Sequence, residues 1–142
     1  MWLFSTKGFY SVVADAQKPG HVLIRARCKA DIWNLYRSYH HRFAMTRPKA
    51  DERRDYRWRL SMKRKDFARL AAALAHEVTY YNFKDEVHRY RDQDNKAGPY
   101  MEVWSTMRQA QRAEDPPRAR KLRSQAAEPY EHIFNPGGNS DK

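Results

Sequence analysis

The chain contains a single cysteine, Cys28, among 142 residues. A disulfide within the chain is therefore excluded, which suits a reducing compartment and makes a cytoplasmic location the expectation. Glycine is scarce as well: there are five, and two of them, Gly137 and Gly138, lie near the C-terminus. The scattered remainder cannot form a glycine-rich phosphate loop. No apolar run approaches the roughly 20 residues that a membrane-spanning helix needs. The opening Met1 to Lys7 lacks the basic start and long apolar middle of a signal peptide. The histidines are poorly spaced for a metal, since His40 and His41 are adjacent and His76 has no second His four residues away. Neither a metal nor another cofactor is expected.

Positive charge and aromatic rings are what the chain does have. There are 28 Lys and Arg against 17 Asp and Glu, a net charge of +11. Nine of these cations, against three carboxylates, fall between Arg47 and Lys65, so over half the excess sits in one short stretch. Clustering of this kind suits an anionic partner such as nucleic acid or an acidic protein, although a basic surface can also serve solubility alone. Of 19 aromatic residues, 17 lie at or before Trp104. That distribution predicts a compact domain over 1–112. A charged tail containing Pro and Gly follows over 113–142, flexible or docked on a partner. Within the tail, Tyr130 to Phe134 is a small apolar island, and 118–127 has weak helical character.

Periodicity then assigns the elements. Short β-prone runs on either side of Lys7-Gly8 predict a tight hairpin, with Gly8 supplying a positive φ. From His21 to Cys28 the residues alternate, with Val22, Ile24, Ala26 and Cys28 on one side and Arg25 and Arg27 on the other. From Tyr56 to Met62 they alternate again: Tyr56, Trp58, Leu60 and Met62 oppose Arg57, Arg59 and Ser61. A period of two marks a strand with one face in a core. A helix is predicted from Asp31, as its cap, through Ile32, Leu35, Tyr36 and Tyr39, followed by a loop over Phe43 to Asp51 that contains Pro48. Another is predicted over Asp66 to Val78, and Thr79 to Tyr81 reads as a short edge strand. Asn82 caps a further helix carrying Phe83, Val87 and Tyr90. A polar loop over Asp92 to Gly98 leads to Pro99 as a first helical residue, with an apolar stripe of Tyr100, Val103, Trp104 and Met107. The order predicts an α+β fold: an antiparallel sheet with helices packed on one face, ferredoxin-like or a related split β-α-β sandwich.

Met1-Trp2-Leu3-Phe4, Gly8-Phe9-Tyr10-Ser11-Val12-Val13, Arg25-Ala26-Arg27, Asp55-Tyr56-Arg57-Trp58-Arg59 and Tyr81-Asn82-Phe83-Lys84, in this order, resemble the blocks of a set of short uncharacterised bacterial and phage proteins. The resemblance covers about residues 1–107, Tyr81 to Lys84 being its most specific part. It implies a single compact domain and no particular activity.

The functional expectation is a small binding protein that contacts nucleic acid, RNA more than DNA, through an arginine-rich open sheet face. Arg25, Arg27, Arg57 and Arg59 form its centre, because arginine grips phosphate bidentately and stacks on bases. Lys63, Arg64 and Lys65 form a charged rim, and Arg37, His40, His41 and Arg42 are secondary contacts. An alternative is a phage or mobile-element module that binds and inhibits a host protein or nucleoprotein complex, using the same residue types. A second alternative is a metal-independent ribonuclease with His21, His40 or His41 as the base. No catalytic residue is assigned. Cys28 falls on the apolar side of its strand, where an inert buried thiol is the common case.

Overall fold

A computed structural model describes residues 1–90 and 94–114. By internal contacts the chain divides into two units, Met1–Tyr100 and Met101–Lys142. The expected island over Tyr130 to Phe134 and the weak helix over 118–127 lie outside the described residues.

The first unit is built on five antiparallel strands: β1 (Trp2–Ser5), β2 (Gly8–Ala14), β3 (His21–Ala26), β4 (Lys49–Ala50) and β5 (Trp58–Lys63). Their spatial order is β1-β2-β3-β5-β4. Helix α1 (Lys29–Tyr39) follows β3, α2 (Arg64–His76) follows β5, and α3 (Phe83–His88) and α4 (Asp94–Glu114) come last. β3, α1 and β4 form a split β-α-β unit, because β5 pairs antiparallel with both β3 and β4 and lies between them. The run β2-β3-β5-β4 thus repeats ferredoxin-like strand order. One position differs: beside β3, where a ferredoxin-like chain places the strand after its second helix, stands β2 from the N-terminal hairpin.

The alternating pattern decides which face is covered. Tyr10, Val12, Val22, Ile24, Ala26, Leu60 and Met62 point to one side and are buried with Ile32, Leu35 and Tyr39 of α1 and Leu70 and Leu74 of α2. Each fully buried aliphatic side chain contributes about 1.5–3 kcal/mol relative to exposure, so this layer is the main source of stability. Lys7 and Glu77 fasten its edge at 3.0 Å. The Tyr39 hydroxyl also donates to Glu77. Burial, reinforced by that carboxylate, holds the Tyr39 phenol above its ordinary range.

Gly8 allows β2 to begin. Its φ is +148°, and a Cβ there would lie 2.6 Å from the Asp31 Cβ. The close approach lets the Asp31 carboxylate accept from the Phe9 N–H at 3.3 Å, while the Tyr10 hydroxyl donates to the Asp31 carbonyl at 3.0 Å. The other Asp31 oxygen is paired with the ammonium of Lys96, and both side chains are buried.

Four expectations are corrected by these contacts. Asp31 is not a cap: α1 begins two residues earlier, after Cys28, and the Asp31 carboxylate is turned into the sheet. Gly98 is helical and Pro99 sits inside α4, which begins at Asp94, as part of a segment pinned by the Lys96–Asp31 pair. Asp92 itself is outside the described residues. Thr79 to Tyr81 is not a strand, and Tyr81 stands fully exposed. The expected loop from Phe43 to Asp51 contains β4, because its backbone runs back along β5. Asn82 does cap α3, accepting from the Lys84 N–H at 3.0 Å.

Candidate nucleic-acid interface

The face of the sheet opposite α1 and α2 carries the alternate residues of the same strands; at its β1 end Tyr100 of α4 packs on Phe4, ring centres 5.2 Å apart. Across this face, Ser11, Arg25, Arg59 and Lys49 are consecutive cross-strand partners. Three cations therefore stand side by side. Like charges directly opposite one another destabilise a sheet, so the row is held at a cost in the free protein.

Two of the arginines are fixed by local contacts. Arg25 Nη2 donates to Ser11 Oγ at 2.7 Å, and its Nε is buried with no acceptor. Arg59 Nε donates to the carbonyl of Tyr56 at 3.1 Å. Arg27, just beyond the end of β3, donates from Nη1 to the Asp55 carbonyl at 3.2 Å and lies 3.6 Å from that residue's carboxylate.

All three contact one loop. Residues 51–57 connect β4 to β5 and are closed by a bond from the Asp51 N–H to the Arg57 carbonyl at 2.8 Å. That closure delays β5 until Trp58, so Tyr56 precedes the strand and is not governed by its alternation. Its ring is buried against the face opposite α1 and α2, 4.9 Å from the Arg25 guanidinium, 4.5 Å from that of Arg27 and 6.4 Å from the Phe9 ring. The expectation that Tyr56 shares the core side with Trp58 is thereby corrected. The signal was available in the polar run Asp51 to Asp55, which predicts a loop reaching up to Tyr56. Trp58 itself does pack against the core.

Beside this loop the same face opens into a groove of about 440 Å³. Leu23, Arg59 and Ser61 contribute from the strands, Asp15 and Lys18 from the β2–β3 connection, and Lys49 and Arg54 from the other side. The Ser61 hydroxyl donates to Asp15 at 2.6 Å, and that bond holds the Asp15 carboxyl below its ordinary range. Lys18, Lys49 and Arg54 were not among the predicted residues. Lys49 in particular is recognisable only once β4 is known to pair with β5.

The remaining predicted residues are distributed around this face. Arg57 is exposed at the start of β5. Lys63, Arg64 and Lys65 are exposed at its other end, roughly 17 Å away at the usual strand rise. Arg37, His40, His41 and Arg42 belong to the end of α1 and the turn after it, in the helix layer and not on the sheet face. His21 pairs with Lys63, its ring 3.3 Å from the Pro19 carbonyl, and makes no contact with His40 or His41. Cys28 is partly buried. Among the described residues no group of three His, Cys, Asp or Glu is arranged to hold a metal, and no helix is long and apolar enough to cross a membrane.

No family model matches the chain, and neither a curated protein nor a solved structure matches it.

Proposed function

We propose that the protein binds single-stranded nucleic acid, RNA in the first instance, along the face of its sheet opposite α1 and α2. The observation that carries this reading is the row Arg25–Arg59–Lys49, three adjacent cations with no carboxylate within ion-pair distance among the described residues. A row of phosphates would relieve their mutual repulsion. The neighbouring groove has the dimensions of a site for one or two nucleotide units, within the range of roughly 300–1,000 Å³ common for small-ligand sites. Arg54 also lines the groove, ion-paired with Asp51 at 3.6 Å.

Tyr56 limits the mode of binding. Its ring occupies the faces of Arg25 and Arg27 that would otherwise stack on a base, so contacts to the backbone dominate and sequence preference is small. The experiment is fluorescence anisotropy with a labelled 12-mer of oligouridylate at increasing salt. Neutralising about four phosphates gives a log–log slope near −3 and roughly fifty-fold weaker binding between 50 and 200 mM salt. Binding that ignores salt, or none at low salt, contradicts the proposal.

A second reading, a protein-interaction module, draws on the 101–114 segment of α4, where Val103 and Met107 are exposed. Phosphate makes no use of such apolar surface. A protein that stays bound to the tagged chain after nuclease treatment would favour it.

A further inference from the structure

The end of α1 carries a second group of arginines whose arrangement differs from that on the sheet. Trp33 has two guanidinium groups against its ring, Arg37 at 5.7 Å and Arg47 at 5.6 Å. Beyond the end of the helix, Phe43 likewise has two, Arg42 and Arg69, each at 5.6 Å. These side chains come from three places in the sequence: the end of α1 with the turn after it, the segment leading into β4, and α2. Cations at a helix C-terminus are expected from the helix dipole alone. That accounts for Arg37 and Arg42. It does not account for Arg47 and Arg69, which arrive from other elements and settle on the same two rings.

The chemistry follows from what each guanidinium leaves free. An aromatic ring contacts the flat face of the group and fixes its orientation, while the N–H donors lie in the plane of the group and point along its edge. Arg37, Arg42 and Arg47 are exposed, and among the described residues their guanidinium groups make no hydrogen bond or ion pair; of the four, Arg69 has a carboxylate nearby, Asp66 at 3.7 Å. The indole Nε1 of Trp33 is buried without an acceptor. Oriented forks with unoccupied edges are suited to phosphate oxygens, which they meet two at a time.

We infer that this corner, formed by Arg37, Arg42, Arg47 and Arg69 on Trp33 and Phe43, is a second binding site for the phosphodiester backbone of nucleic acid. The inference rests on the nucleic-acid reading above and extends it around one edge of the sheet. β4 is the link. Thr46 and Lys49 line the sheet-face groove, while Arg47, between them in sequence, lies on Trp33 in the helix layer. A single strand leaving the groove over β4 therefore meets the corner without leaving the protein.

The test compares three forms of the full chain with the same labelled 12-mer oligouridylate across a salt series, with melting temperatures as a check on folding. The forms are the unaltered chain, Arg37→Gln/Arg47→Gln, and Lys49→Gln/Arg57→Gln. The corner variant is expected to lose at least ten-fold in affinity and to flatten the salt slope by about 1.4, two phosphates at 0.7 each. Arg37→Lys/Arg47→Lys is expected to recover most of the slope and only part of the affinity, since a point charge replaces a fork. Unchanged affinity and slope in the corner variant, with loss in the Lys49/Arg57 variant, overturn this inference and leave the sheet-face reading standing. Loss in the corner variant alone supports the corner and counts against the sheet face. No salt-dependent binding by the unaltered chain overturns both, and equally tight corner-dependent binding of a polyglutamate peptide overturns the assignment to nucleic acid.

Discussion

At Tyr56 and at Trp33 the same contact, one aromatic ring with two guanidinium groups against it, leads to opposite consequences. At Tyr56 the arginines also donate hydrogen bonds to Ser11 and to the Asp55 carbonyl, and Arg59 holds the Tyr56 carbonyl. They fasten a loop over the sheet. At Trp33 the ring is the arginines' sole partner among the described residues, and their donors face outward. An arginine's availability to an anion is therefore set less by its exposure than by whether its N–H edge is already occupied.

The comparison is broken most completely by unfolding the domain that presents both regions. Asp31→Ala leaves the Lys96 ammonium buried without its partner and removes the acceptor of the Phe9 N–H, and should cost about 3–5 kcal/mol by urea denaturation. Both basic surfaces should fail together. Survival of either at full stability would show that the buried pair is not structural.

Tyr56→Ala converts one kind of region into the other. It removes a buried ring and two cation–π contacts, and a loss of about 2 kcal/mol or more is expected. Arg25 and Arg27 would then resemble Arg37 and Arg47, so oligonucleotide affinity measured by anisotropy should rise even as the melting temperature falls. Affinity falling in step with stability would mean that the loop presents the arginines and does not occupy them.

A milder contrast lies where the connection enters β5. Arg59→Gln loses the bond to the Tyr56 carbonyl, and a stability decrease of about 1–2 kcal/mol is expected. Arg57→Gln, exposed and without such a bond, should change stability by less than about 0.5 kcal/mol while reducing affinity for the oligonucleotide. Equal stability effects would erase the distinction between engaged and available arginines on this face.

The smallest effect concerns the groove wall. The bond from Ser61 lowers the Asp15 carboxyl below its ordinary value of 3.8. A depressed folded value contributes stability above the unfolded value, and that contribution is lost as pH falls through the folded one. Below pH 3.8 the unaltered chain should thus lose slightly more stability than Ser61→Ala, measured by thermal melts from pH 5 to 2.5. Identical acid profiles would place Asp15 outside the wall.

Much of this fold was legible in the sequence because period-two alternation and the hairpin glycine are local signals. Arg25 and Arg59 were assigned to one face from alternation alone, and they are direct cross-strand neighbours. What could not be read depends on distant partners. Asp31 has the form of a helix cap in sequence, yet its carboxylate answers to Lys96, 65 residues away. Tyr56 fits the strand pattern until the hairpin closure of its loop is known. Arg47 and Arg69 carry no local mark of the corner, since only folding brings them to Trp33 and Phe43.

The central claim is most directly tested on the guanidinium groups themselves, by nitrogen-15 NMR of the arginine Nε–H signals with and without the 12-mer oligouridylate at low salt. In the free protein the Arg25 and Arg59 signals should exchange slowly with water, one being buried and the other bonded to Tyr56, while those of Arg37, Arg42 and Arg47 exchange fast. On addition of the oligonucleotide, signals from the sheet face and the corner should shift together with a common affinity. Fast exchange at every arginine, with no signal moving as the oligonucleotide is added, would contradict it.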